Sequence, residues 1–126
     1  MDGRHYGLHG FRVVELTGGS APLRDDRDAV DAIAAASEYH PEIIVIPTER
    51  LGNDFFRLRM GVAGQVIQKV LTYRLRLVIL GDISEHLRES SALRDFVYEC
   101  NSGAHVWFVT GLDEFNQRLQ IERGRQ

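Results

Sequence analysis

The chain has 126 residues, 44% of them apolar and 26% charged, with 15 Lys and Arg against 18 Asp and Glu. These proportions are those of an ordinary folded domain, long enough to bury a core without disulfide or metal staples. A formal net charge of −3 supplies no general attraction for nucleic acid or for an anionic membrane.

One domain with its own core is expected at this length. Cys100 is the lone cysteine, so no internal bridge can form. With neither a charged-then-apolar leader nor an apolar run of membrane length, the expected setting is reducing and cytoplasmic. Basic residues are arginine throughout except for Lys69.

In chain order, Tyr6 to Leu8 and Phe11 to Leu16 read as strands on either side of His9-Gly10, which predicts an N-terminal hairpin. Gly18-Gly19-Ser20 superficially resembles a phosphate cradle, but the Walker and Rossmann spacings are missing and a flexible loop is expected. An Asp-rich helix start follows, and Ala29, Val30, Ile33 and Ala34 recur on one helical face before Pro41 ends the pattern. Glu42 to Ile46, bounded by Pro41 and Pro47, has the apolar run of a strand buried on both faces. Thr48 to Asp54 is polar and irregular.

A second amphipathic helix is predicted from Val62, Val66, Ile67, Val70 and Leu71, running to about Tyr73. Leu75 to Leu80 reads as a further buried strand ending at Gly81-Asp82. Ser84 or Ser91 is the expected cap of a third helix with the inner stripe Leu93, Phe96, Val97 and Cys100, and Gly103 ends it. The break at Ser90-Ser91 predicts a short turn first. His105 to Val109 forms the last strand, Leu112, Phe115 and Leu119 line a final helix, and Glu122 to Gln126 is expected to fray. Strands alternating with helices predict an α/β fold, with a mixed, mostly parallel sheet of four to five strands, about four helices and right-handed crossovers.

The segment Asp54 to Lys69 is the richest in candidate function. Gly61 and Gly64 at a helix start leave backbone amides accessible to an anion or a partner carboxylate, with Arg57 and Arg59 just before them. The plainer alternative is that the glycines let the helix approach the sheet closely. Of Phe55 and Phe56, adjacent in an extended stretch, one is expected in the core and the other free to form an apolar contact. Gln65, Gln68, Lys69, Thr72 and Tyr73 share the polar side of the second helix, either as a binding face or as a solvated one. Asp82 follows a strand at its carboxyl end, where open α/β sheets place ligands, and Asp54 would converge with it if the strands are parallel. Two such carboxylates could bind a cation or serve acid-base chemistry, although Asp is also a common cap.

The remaining features exclude more than they suggest. His5 and His9 do not share a helix face, and His40, His86 and His105 are scattered, so no metal site is expected. Arg57-Leu58-Arg59 and Arg74-Leu75-Arg76 alternate with leucine as chains entering buried structure do, and no nucleic-acid partner is expected.

Asp54-Phe55-Phe56, Gly61-Val62-Ala63-Gly64-Gln65, Gln68-Lys69, Tyr73, Gly81-Asp82, Leu93-Arg94-Asp95-Phe96 and Glu99-Cys100-Asn101-Ser102-Gly103 resemble the bacterial family called domain of unknown function 4180. That resemblance covers nearly the whole chain and brings no activity with it. The order of elements also resembles STAS domains, the fold of anti-sigma factor antagonists, in which a phosphorylatable Ser or Thr begins the helix after the third strand. Gly61 to Gly64 offer no hydroxyl at the matching place.

The expectation is therefore a STAS-like, non-catalytic cytoplasmic module that binds a protein partner or itself through residues 55–73, without a cofactor. The alternative is a small-ligand or enzymatic site at the strand carboxyl ends around Asp54 and Asp82. The candidate binding residues are Asp54, Phe55, Phe56, Gly61, Gly64, Gln68, Lys69, Tyr73 and Asp82.

Overall fold

The computed structural model describes residues 4–17 and 22–124. Gly18-Gly19-Ser20 lies outside them, as do residues 125–126 of the anticipated tail. Five strands form one sheet: β1 (Arg4–Leu8), β2 (Phe11–Glu15), β3 (Ile43–Pro47), β4 (Arg76–Leu80) and β5 (Val106–Val109), in that spatial order. β1 pairs antiparallel with β2 through the expected hairpin, and every later pairing is parallel. His9 and Gly10 both take positive φ, the twist that a two-residue hairpin turn demands.

Helices α1 (Asp26–Ala36), α2 (Val62–Thr72), a short α3 (Ser84–Glu89) and α4 (Ser91–Ser102) connect the parallel strands, and α5 (Leu112–Gly124) ends the described chain. The strand order advances steadily in one direction, so crossovers of a single hand put α1, α2 and α4 on the same face. There Ile33, Val66, Val70, Leu93 and Val97 pack on Val14, Ile44, Ile46, Leu77, Ile79 and Phe108. The opposite face, with Phe11, Val13, Ile43, Val45, Val78, Trp107 and Val109, is covered by Phe115 and Leu119 of α5.

β3 has all five residues buried, as its uninterrupted apolar run implies, because both faces are covered. Several boundaries differ from the sequence pattern. Ala34 is exposed and Ala36 buried, because Ala29, Ile33 and Ala36 fall at i, i+4 and i+7 on one face while Ala34, five residues after Ala29, turns away from it. Leu112 stands at the first turn of α5 and is exposed, so only the Phe115–Leu119 pair, four apart, reaches the sheet. Glu122, expected in the tail, belongs to α5. Its carboxylate lies 3.8 Å from Arg76, whose guanidinium sits 5.2 Å above the Phe11 ring.

Candidate functional site

Between β3 and α2 the chain turns tightly at the carboxyl end of the sheet. Leu51 forms a parallel bridge with Leu23, and the Leu23 N–H donates to the Arg50 carbonyl at 2.8 Å. Tight turns of 3₁₀ type then cover Asn53–Phe56 and Leu58–Met60. Three residues per turn separate successive side chains by about 120° instead of the 180° of a strand, so neighbours can face the same way. Phe55 and Phe56 do so, at 2% and 4% exposure and in edge-to-face contact at 5.1 Å. The expectation that one of them stands free is corrected, since it presumed an extended backbone.

From the next loop, His86 of α3 stacks nearly parallel on Phe56, with ring centroids 4.3 Å apart. The stacked pair floors a cleft of about 640 Å³. One wall carries Asn53, Arg57, Leu58 and Arg59, and the other Glu85, Glu89, Ser90 and Ala92. Arginines from the segment after β3 and glutamates from the segment after β4 thus line one cleft around an aromatic floor. Among the described residues no ion pair joins the two walls. Ser90 is fixed by its own cap, its hydroxyl accepting the Leu93 N–H at 3.1 Å. Ser90 thus caps α4, where the sequence pattern pointed to Ser84 or Ser91 as the cap.

The carboxylates marked in the sequence are engaged locally. Asp54 pairs with Arg57 at 3.4 Å on the surface and lines a separate cavity of about 290 Å³ with Pro22, Arg24 and Phe55. Asp82 accepts the Ser84 N–H at 2.9 Å, and that bond, with the Ser84 side chain, holds its carboxyl below the usual range. It lines neither cavity.

Gly61 starts α2 with φ 79°, a left-handed conformation that glycine adopts without strain. A Cβ there, or on exposed Gly64, would meet nothing within 4 Å, so neither glycine serves a close approach to the sheet. That role belongs to Gly81 (φ 147°), where a Cβ would overlap the side chain of Thr48. Gln68 and Tyr73 are exposed on α2 and at its end, Lys69 is half-buried, and none of them lines the cleft. Thr72 turns inward on its own helix, donating its hydroxyl to the Gln68 carbonyl at 2.7 Å. Of the candidate binding residues, then, Phe56 alone lines the cleft, together with Arg57 and Arg59 from just before the Gly61 helix start.

The family model described as Domain of unknown function (DUF4180) matches residues 8–119. The chain belongs to this family. The matched DUF4180 span runs from the end of β1 to Leu119 of α5 and includes both walls of the cleft. No curated protein and no solved structure matches the chain.

His86, Glu85 and Glu89 escaped the sequence pattern because α3 has only six residues, too few for a helical stripe to show. Among the described residues of this DUF4180 chain no cluster of His, Cys, Asp and Glu is arranged to hold a metal ion, and no helix is long and apolar enough to cross a membrane. Burial, and then Glu99, push the Cys100 thiol up, which makes it a weak nucleophile.

Proposed function

We propose that this chain is a non-catalytic, regulatory binding module of the cytoplasm that receives a segment of a partner protein in the cleft over Phe56 and His86. One observation carries this reading: an open cleft at the strand carboxyl ends has a stacked Phe56–His86 floor, with arginines contributed by the segment after β3 and glutamates by the segment after β4. Oppositely charged walls favour a segment with both signs of charge and fix its direction, whereas small-molecule sites are usually enclosed and mainly apolar. A STAS-like relation accords with such a role. The helix start at Gly61 has no hydroxyl, so its control would not be phosphorylation at that point. A small-ligand or enzymatic site at Asp54 and Asp82 has less support, because each carboxylate serves a neighbour and neither cavity described above is lined by both.

A photoreactive side chain in place of Arg59 should cross-link the partner in cells, while one in place of Glu38, beyond the end of α1, should not. Reversing Arg57 and Arg59 to Glu should remove the adduct formed from Ala92 on the facing wall and leave the melting temperature unchanged. Equal adducts from Arg59 and Glu38, or an Ala92 adduct indifferent to the reversal, would overturn this reading.

A further inference from the structure

The two edges of the sheet are finished differently. On β5, odd-numbered residues face β4, since the carbonyls of His105 and Val109 accept the N–H groups of Leu77 and Gly81. Phe108 therefore turns its peptide groups outward. The Asn101 side chain at the end of α4 meets both: its carbonyl oxygen accepts the Phe108 N–H at 2.7 Å and its amide donates to the Phe108 carbonyl at 3.2 Å. A single asparagine thus imitates a neighbouring strand. Arg118 of α5 holds it in place by donating to the Asn101 backbone carbonyl at 2.6 Å while lying 4.4 Å over the Trp107 ring.

Among the described residues β1 has no such plug. In β2 the Arg12 carbonyl accepts the Glu42 N–H and the Leu16 N–H donates to Val45, so even-numbered residues face β3 and odd-numbered ones face β1. Their partners Arg4, Tyr6 and Leu8 face inward, and the N–H and C=O groups of His5 and Gly7 point outward. Among the described residues nothing pairs with them.

We propose that this edge is a docking surface for a second copy of the chain, joined by antiparallel β1–β1 pairing about a two-fold axis at Tyr6. The sequence of β1 is self-complementary in that register. His5 falls opposite Gly7 of the other copy, each such pair exchanges two hydrogen bonds, and the absent side chain leaves room for the imidazole. Tyr6 meets its own counterpart, and Arg4 lies opposite Leu8, so no like charges are juxtaposed. Tyr6 and Leu8 are only half-buried at the rim of the second core, and the added strand extends that core over them. Two-fold β1–β1 pairing uses up the free edge of each copy, and on the other edge Asn101 already occupies the outward groups of Phe108, so pairing stops at two copies and yields a closed dimer, not a filament. One strand pair buries less than the roughly 1,200 Å² typical of stable complexes, so the dimer is weak and forms with rising concentration.

Sedimentation of the full chain over a concentration series should show a reversible monomer–dimer equilibrium. Hydrogen exchange should slow at the His5 and Gly7 amides as dimer forms, with the Tyr6 amide, already paired to Val13, unaffected. Gly7→Pro removes an outward N–H and spares the β1–β2 ladder, and it should abolish the dimer. Gly7→Arg, at a site where a Cβ meets only the Phe11 carbonyl at 3.9 Å, should do the same by crowding His5 of the other copy. A monomer at all concentrations, a dimer that survives in a folded Gly7 variant, or protection that arises on other elements would overturn the proposal. The cleft variant with Arg57 and Arg59 reversed should dimerise normally, which keeps this test separate from that of the partner site.

Discussion

Phe56 is the residue where core and cleft meet, since one side of its ring packs against Phe55 and the other supports His86. Phe56→Ala should cost about 3 to 5 kcal/mol in denaturant unfolding, the usual range for a buried aromatic, and should also collapse the cleft floor. Its burial was legible as apolar character, but its orientation was not, because a tight turn replaces the expected extended backbone. Glu15 is an unexpected buried carboxylate, 5% exposed at the end of β2, and it accepts hydrogen bonds from the Tyr6 hydroxyl at 3.0 Å and Arg4 at 3.2 Å. Burial first, and then Glu15, push the Tyr6 hydroxyl up to about 12. The folded chain holds that proton more tightly than the unfolded chain does, so the stabilisation is complete below about pH 10 and is lost as pH rises through about 12. Tyr6→Phe should flatten the alkaline limb of the stability profile measured by urea unfolding. Gly81→Ala should destabilise by about 1 to 3 kcal/mol through overlap with Thr48. Thr48→Ala should recover the steric part and leave the strain of the left-handed backbone, a split that a double-mutant cycle measures.

Among the elements, α5 is the least announced in the sequence and the most consequential. Its inner stripe is reduced to Phe115 and Leu119, yet it is the helix that shields the second face of the sheet. Phe115→Ala should cost about 3 to 5 kcal/mol and, by loosening that cover, increase binding of a dye that reports exposed apolar surface. Unchanged melting and unchanged dye binding would show that the second core holds without it. The short α3 was anticipated only as a turn, but its position after β4 supplies the acidic wall of the cleft. Ser90→Ala should remove the α4 cap at a cost of about 1 kcal/mol, read from the shift in melting temperature.

For the molecule as a whole, the crossovers load one face with helices and leave the other to α5, while the two sheet edges are finished in opposite ways. Asn101→Ala should unplug β5. If β1 pairs as inferred, the variant should pass beyond dimers into larger assemblies in sedimentation, and Gly7→Pro combined with it should restrict that growth.

Periodicity alone determined the alternation of strands and helices, the N-terminal hairpin and the α/β class, because each depends on side chains within one or two turns of one another. The buried β3 was equally plain, since Ile43 to Ile46 leave no polar side for solvent. The cleft was decided by tertiary structure. Arg57 and Arg59 follow β3, whereas Glu85, His86 and Glu89 follow β4, and they meet because those strands lie side by side with Pro47 in register with Leu80. The same holds for Asn101, which is an ordinary helix-end residue until the fold sets it against the open edge of β5. Hydrophobic spacing records which side of an element is buried. It carries no record of what chain folding places opposite the other side.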